Sequence, residues 1–217
     1  MSSTTAVSVA VSRITRPGYR GIARIARIAL ATAILVGWTR AAEAQTVPDR
    51  KPGFEFLVST GSLVPTGAQR DAIKRGALTT AQLSYLVHPS FAITSTIGWA
   101  RSRDISSAGD PKLDVFMYDL GAEARANRWT AGDALTFSPF VGVGAGARSY
   151  NYRSLDVDAT HNLAAFGSVG GEIGYRRIRL RLEARDYLTG FKPLVAEGTT
   201  GRRNDLTVMA GIRFTAR

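Results

Sequence analysis

The chain has 217 residues, with 28 Lys and Arg against 17 Asp and Glu, which gives a formal net charge of +11. It contains no cysteine, and this excludes disulfides, thiolate metal sites and cysteine nucleophiles. Glycine is abundant, at 22 residues, whereas proline is limited to 8. The composition is therefore that of an ordered, glycine-rich chain of about one domain.

The first 44 residues have the pattern of a secretory signal peptide. Residues 1–27 carry five arginines and no acidic residue, an apolar run follows at 28–38, and Ala42-Glu43-Ala44 precedes Gln45. These are the basic, apolar and small-x-small regions of such a peptide. The apolar run is shorter than the roughly 20 residues of a spanning helix. We expect a signal peptide at 1–44 and a mature domain at 45–217, with a mitochondrial presequence and an uncleaved anchor as alternatives.

Cleavage after residue 44 changes the charge balance of the chain. It removes six arginines and one glutamate, so the net charge falls from +11 to +6. A mildly basic mature chain is no evidence for nucleic-acid binding, and we expect no nucleic-acid partner.

From Phe54 onward, apolar residues alternate with polar or small residues in eight segments. The segments are 54–60, 77–87, 91–102, 113–125, 135–150, 163–175, 178–188 and 205–214. A period of two predicts β-strands with one apolar and one polar face. Long and short links alternate between them, as in an antiparallel barrel with loops at one end and turns at the other. The nine-residue link at 126–134 fits this alternation least well.

The shortest link fixes the pairing register of the two predicted strands that it joins, 163–175 and 178–188. A two-residue turn at Arg176-Arg177 sets Tyr175 opposite Ile178 on the apolar face. The same register sets Glu172 opposite Arg181 on the polar face, where an opposite-charge pair stabilises the sheet.

Two barrels share this alternation: a soluble lipocalin-like carrier with its apolar face inward, and a membrane barrel with that face outward. Glycine favours the membrane barrel, because eight glycines lie on the polar face, where long charged side chains in a narrow lumen need small neighbours. Aromatic residues also fall into two groups on the apolar face, as in the girdles of membrane barrels. They are Phe54, Tyr85, Phe91, Tyr175 and Phe214 at the turn end, and Trp99, Phe116 and Tyr118 toward the loop end.

The charged residues of the polar face are the candidate site. We expect them to form a closed plug of hydrogen-bonded ion pairs, with an ion path as the alternative. They are Asp119, Glu123, Arg125, Arg148, Glu172, Arg179, Arg181, Glu183 and Arg185.

These features resemble one family. The sequence predicts a signal peptide, eight amphipathic strands, alternating turns and loops, and a charged stretch at 179–185 before a last strand that ends at Phe214. In these features the chain is similar to the small eight-stranded outer-membrane β-barrels, such as the OmpA transmembrane domain, OmpX and the opacity-type proteins. The resemblance implies an all-β, eight-stranded antiparallel up-and-down transmembrane barrel in the bacterial outer membrane. It also implies outer-membrane lipid and the barrel-assembly machinery as partners, and we expect a monomer. Relatives end at the aromatic residue that the machinery reads, whereas here residues 215–217 follow Phe214.

We expect no cofactor, metal or catalytic site. The stretch Gly142 to Ala147 satisfies the dinucleotide pattern G-x-G-x-x-A but lies within a strand, where the pattern has no meaning. Lipid-modifying enzymes on such barrels require a histidine with a serine and a carboxylate. His88 lies in a predicted turn and His161 in a predicted loop without a serine at a matching spacing, so a rim hydrolase is only an alternative.

The expected function is a non-enzymatic structural or surface-interaction role, with any partner bound by the long loops. Basic loop residues could also meet anionic lipid head groups, although solvated loop charge is the simpler interpretation. They are Arg70, Lys74, Arg75, Lys192, Arg202 and Arg203.

The signal-peptide assignment is tested by the mass of the exported protein. We expect a mature amino terminus at Gln45, because the small residues at 42 and 44 suit signal peptidase. Intact-mass spectrometry of protein extracted from membranes measures it. Recovery of the unprocessed 217-residue chain would contradict the assignment.

Overall fold

The structure, a computed structural model, describes residues 52–126, 129–131, 135–153, 155–156, 158–175, 177–191 and 201–216. The predicted signal peptide at 1–44 and the predicted cleavage site lie outside these residues. Within the described part of the chain, no helix is long and apolar enough to cross a membrane.

The described residues form nine antiparallel strands and one short 3-10 helix. The strands are β1 (Gly53–Thr66), β2 (Gly76–His88), β3 (Phe91–Arg103), β4 (Lys112–Arg125), β5 (Trp129–Ala131), β6 (Leu135–Tyr152), β7 (Thr160–Tyr175), β8 (Ile178–Phe191) and β9 (Gly201–Thr215), and the helix is Gly67–Gln69. Each long strand pairs with its neighbours in the chain, β1 pairs with β9, and β4 pairs with β6. Eight long strands therefore close into an up-and-down barrel, and the predicted fold class is confirmed.

The predicted register of the tight hairpin is also confirmed. Tyr175 pairs with Ile178, and Glu172 pairs with Arg181. Since one register error would exchange the two faces of a strand, this agreement also fixes which residues of β7 and β8 point inward.

The apolar face of the barrel points outward. Leu120 is 67% exposed, Ile97 59% and Leu182 59%, whereas the inward residues between them are buried. A soluble lipocalin-like carrier would bury this face around a ligand, so the structure contradicts that alternative. The aromatic groups lie as predicted, with Phe54, Phe91, Tyr175 and Phe214 exposed at the turn end. An exposed apolar band flanked by aromatic residues is the lipid-contacting surface of a membrane barrel.

The first strand is longer than predicted, because its partners extend it. The prediction ended it at Thr60, but β1 continues to Thr66, which pairs with Asn204 of β9. Gly61 was interpreted as the start of a loop, although it lies within the strand. A Cβ atom at Gly61 would collide with the backbone carbonyl of Val208, so this glycine permits close approach of two strands.

The irregular link between the fourth and fifth predicted strands also has a structural reason. Strand β5 pairs with the start of β6, with Trp129 opposite Phe137 and Ala131 opposite Leu135. The described middle of the link, Trp129–Ala131, is therefore a short extension of the β-ladder at the turn end of the barrel.

The loop end of the lumen is apolar, which the sequence analysis did not predict. Inward side chains of several strands and of the loop after β1 form one buried cluster: Leu63, Ala72, Ile73, Leu78, Ala100, Leu113, Val115, Met117, Tyr150, Tyr152 and Met209. Ile73 and Asp104 form a β-bridge that joins the loops after β1 and β3. The loop after β1 thus packs onto the end of the barrel.

A buried carboxylate joins the loop after β3 to strand β6. Asp104 accepts hydrogen bonds from the Ser106 hydroxyl (2.6 Å), the Ser107 hydroxyl (2.8 Å) and the Tyr152 hydroxyl (2.7 Å). Burial alone would raise the pKa of Asp104, but these hydrogen bonds favour the carboxylate and lower its pKa below the ordinary 3.8. Asp104 is therefore ionised at neutral pH, and its carboxylate bonds the loop after β3 to Tyr152 of β6.

Because the apolar face points outward, the free-energy cost of adding a charged side chain should depend on its position. Leu182→Arg places a cation on the lipid face and should destabilise the barrel by about 2 to 4 kcal/mol, because an unpaired charge enters the bilayer. Urea unfolding in lipid vesicles measures the loss. Leu155→Arg, at an exposed loop residue, is the control and should be close to neutral. Equal effects at the two positions would contradict the assignment.

Candidate functional site

The structure places all nine predicted charged residues inside the barrel. Each is at most 5% exposed, and each lies on the inward face of β4, β6, β7 or β8 because of its parity along the strand. Three further residues that the sequence analysis left out of the set, Glu55, Asp205 and Arg213, are 1%, 1% and 0% exposed and belong to the same interior. Their inward parity in β1 and β9 could have identified them.

Arg181 is the centre of the interior network. Its guanidinium donates to Glu172 at 2.8 Å, to Glu123 at 2.6 Å and to Glu183 at 2.9 Å. These three carboxylates come from β4, β7 and β8. One side chain therefore links three strands through charge-assisted hydrogen bonds, which are stronger than neutral ones.

Two neighbouring arginines extend the network toward the first and last strands. Arg125 contacts Glu55 and Glu123, each at 2.6 Å. Arg213 reaches Glu55 at 2.9 Å and Glu172 at 3.1 Å. The network thus crosses the lumen from β4 to β9 and β1.

A second part of the network lies nearer the loop end. Arg185 contacts Glu183 at 2.8 Å and Asp119 at 3.2 Å, and the Tyr187 hydroxyl donates a short hydrogen bond to Asp119. The side chain of Gln82 accepts from Thr96 at 3.2 Å. Polar atoms of four strands, β2, β3, β4 and β8, are bonded at this level.

Glycine and aromatic residues make room for the arginines. The Arg181 guanidinium lies 3.4 Å from the centre of the Phe140 ring, and that ring covers Gly170, where a Cβ atom would collide with it. Arg185 lies 4.4 Å from the ring of Phe166, which occupies the space beside Gly144 in the same way. Cations over aromatic faces are attracted electrostatically, most strongly when water is excluded.

Two members of the predicted set are less well paired. Arg179 approaches Glu172 only at 3.6 Å. Arg148 stacks on Tyr187 at 3.7 Å, and its guanidinium has no hydrogen-bond partner among the described residues. The arginines are therefore not equivalent, and the strongest pairing surrounds Arg181.

The buried charges carried by the strands of the described lumen balance. The buried strand residues include six arginines (Arg125, Arg148, Arg179, Arg181, Arg185 and Arg213) and six carboxylates (Glu55, Asp119, Glu123, Glu172, Glu183 and Asp205). Because an isolated buried charge is very costly, equal numbers favour an interior that is neutral and filled by side chains.

A separate basic cluster, the basic rim, lies at the loop end of the outer surface. It surrounds a cavity of about 300 Å³ lined by Lys74, Arg75, Arg101, Ser102, Arg103, Lys112 and Arg153. Only two of these, Lys74 and Arg75, were among the basic loop residues singled out in the sequence. Arg70 is exposed outside this lining, and Arg203 donates to the Ala68 carbonyl at 2.5 Å. The side chains of Lys192 and Arg202 lie outside the described part of the structure.

The structure places the two histidines in different surroundings. The ring of His88 accepts a hydrogen bond from the Ser90 amide at 3.2 Å. His161 was predicted in a loop but lies in β7, because β7 begins at Thr160 and pairs with β6. There it is the cross-strand partner of Ser149, a juxtaposition that sequence spacing could not reveal. Among the described residues, neither side chain of this pair has a hydrogen-bonded carboxylate.

The geometry defines a class of protein: a membrane β-barrel with a charged, side-chain-filled lumen. Its fold is that of the small eight-stranded outer-membrane β-barrels, and its apolar outer belt places it in the bacterial outer membrane. No protein-family model matches the chain, and no curated protein matches it significantly.

Solved structures share this fold at low sequence identity. Neisserial surface protein A (NspA) is 13% identical, with a TM-score of 0.54, over 77% of this chain and 100% of that chain. OprG from Pseudomonas aeruginosa is 12% identical, with a TM-score of 0.47, over 79% of this chain and 100% of that chain. The outer-membrane enzyme PagL is 10% identical, with a TM-score of 0.37, over 74% and 98%. The likeness to NspA shows the fold alone.

The network predicts coupling between Glu172 and Arg181. Each single change to Gln leaves a buried charge less well paired, and breaking a buried pair costs up to about 3 to 5 kcal/mol. The double variant should cost less than the sum of the two, by about 0.5 to 3 kcal/mol. Urea unfolding of the barrel in lipid measures all three variants.

Glu172→Gln combined with Arg148→Gln is the matched control. Both residues are buried, but Arg148 has no ion pair among the described residues. The losses in this pair should add. Additive losses for Glu172 with Arg181 would show that the two side chains do not meet.

Proposed function

We propose that the protein is a non-enzymatic outer-membrane barrel that does not conduct ions and serves a structural or surface-interaction role. Its contacts with other molecules are made by the loops and the outer surface, not by the lumen. The balanced set of six arginines and six carboxylates inside the barrel is the observation on which this proposal depends.

The pairing of the lumen charges argues against an ion path. Conducting pores keep charged rings in contact with water, so that ions can exchange with them. Here Arg181, Arg213 and Glu172 are at most 1% exposed, and Glu172 lies 2.8 Å from Arg181 and 3.1 Å from Arg213. An eight-stranded barrel is just wide enough for its own side chains to fill.

The apolar cluster at the loop end is a second obstacle to ions. Leu63, Leu113 and Val115 are at most 1% exposed there, and the loop after β1 adds Ile73 to the same cluster. An ion that passed the charged layer would still have to lose its hydration among apolar side chains, which is very costly.

The enzyme alternative has weaker support. His161 is exposed beside the buried Ser149, but acyl-transfer chemistry also requires an orienting group for the histidine. The described residues supply no such hydrogen bond, and the likeness to PagL carries no argument at its low TM-score.

Conductance in planar lipid bilayers tests the proposal. The purified protein should insert without producing current steps, because side chains fill its lumen, while a general porin in the same bilayers produces them. Steps from this protein whose ion selectivity changes in Glu172→Gln or Arg181→Gln would locate a path through the lumen. That result would contradict the proposal.

A further inference from the structure

The outer face of β3 and β4 changes from apolar to cationic toward the loop end. Cross-strand partners there are Ile97 with Tyr118, then Trp99 with Phe116, then Arg101 with Asp114, then Arg103 with Lys112. Tryptophan marks the membrane–water interface of a spanning protein. The cations therefore lie at the height of lipid head groups.

The last of these pairs sets two cations opposite each other. Arg103 and Lys112 are direct cross-strand partners, an arrangement that destabilises a sheet unless an anion offsets the repulsion. Neither has a carboxylate partner among the described residues. The one ion pair of the basic rim in the described structure is that of Arg153 with Asp114.

Backbone contacts hold the other cations at the same place. The Lys74 amide donates to the Arg103 carbonyl at 2.9 Å, and the Lys74 carbonyl accepts a short hydrogen bond from the Ser102 hydroxyl. Arg75 donates to Ser62 at 2.8 Å. The Arg101 guanidinium covers the Trp99 ring at 4.1 Å. The rim is thus assembled from β3, β4, the loop after β1 and Arg153, which follows β6.

An apolar groove lies on the same outer surface, nearer the middle of the membrane. Its volume is about 850 Å³. Ala145, Ala147 and Ala165 form its floor, and the larger side chains of Tyr118, Leu120 and Leu163 stand beside them. Ala145 pairs with Leu120 on one side and with Ala165 on the other, so a row of small residues lies between taller ones.

We propose that this surface binds a phosphorylated membrane lipid, with the phosphate at the basic rim and an acyl chain in the groove. Guanidinium and ammonium groups are the usual protein ligands of phosphate, and the groove presents apolar surface at acyl-chain depth. The lipid phosphate supplies the anion that Arg103 and Lys112 lack. The proposal requires only that the barrel lies in a bilayer, and it stands whether or not the lumen conducts.

Trp99 reports the lipid beside the rim. Of the three tryptophans in the chain, Trp38 lies in the predicted signal peptide, so Trp129→Phe leaves Trp99 as the single tryptophan of the predicted mature protein. The protein is reconstituted in phosphatidylcholine vesicles with an added brominated lipid, which is either phosphatidic acid or phosphatidylcholine. The bromine atoms on the acyl chains of the added lipid quench tryptophan fluorescence on contact. At equal mole fraction, brominated phosphatidic acid should quench Trp99 more strongly.

Arg103→Gln with Lys112→Gln should remove this preference. Each cation near an anionic lipid surface contributes about fivefold in binding, so the double change should lower the relative affinity about 25-fold. Arg70→Gln with Arg177→Gln removes the same charge from exposed positions outside the rim and should keep the preference. The rim variant should also unfold in pure phosphatidylcholine at no lower urea concentration than the parent, because it relieves a like-charge pair. Equal quenching by the two lipids, or equal loss in the two variants, would overturn the proposal.

Two further arms identify the ligand. Inorganic phosphate added at constant ionic strength should leave the preference for phosphatidic acid intact. Loss of this preference on addition of inorganic phosphate would show that the rim binds free phosphate, and it would overturn the lipid assignment. Ala145→Leu with Ala165→Leu fills the groove and should weaken the preference, whereas Ala184→Leu with Ala210→Leu, on β8 and β9, should not. An unchanged preference in the groove variant would overturn the two-part site.

Discussion

The structure depends on one constraint: in a bilayer, every backbone amide and carbonyl must be bonded within the protein, because lipid offers no partner. The pairing of β4 with β6 meets it by closing the sheet, so that none of the eight long strands keeps a free edge. Closure at eight strands fixes a narrow lumen. The side chains that point into it must then fill it and bond one another, because there is little space for water.

The contents of the lumen follow from its width. Arginine is long, and Arg181 fits because the flat ring of Phe140 and the missing side chain of Gly170 leave room for it. Its charge is tolerable only beside carboxylates, and those come from several strands. Because each such contact joins residues far apart in the chain, the ionic layer specifies how the strands are arranged and not merely how stable they are. Replacing it by apolar residues of similar volume could preserve stability while losing this specification.

Much of this architecture could be predicted from the sequence, because a period of two assigns each residue to a face. The register of β7 with β8 also followed, since a two-residue turn allows one pairing of Glu172 and Arg181. Strand ends could not be predicted in the same way: β1 extends to Thr66 because β9 pairs with it, and Gly61 alone suggests a loop. The basic rim was missed for a similar reason. It joins Lys74, from a loop, to Arg103 and Lys112, and this proximity exists only after the hairpins have paired.

The apolar cluster around Leu63, Ile73 and Leu113 gives the two ends of the lumen opposite responses to temperature. Burial of apolar surface stabilises less as water cools. The cost of dehydrating paired charges falls as temperature rises, so the layer around Arg181 gains relative strength on heating. Cooling therefore weakens the apolar loop end first, and with it the packing of the loop after β1. The ionic layer is the part of the lumen that is relatively most stable at high temperature. One narrow interior thus combines two cores with different thermal optima.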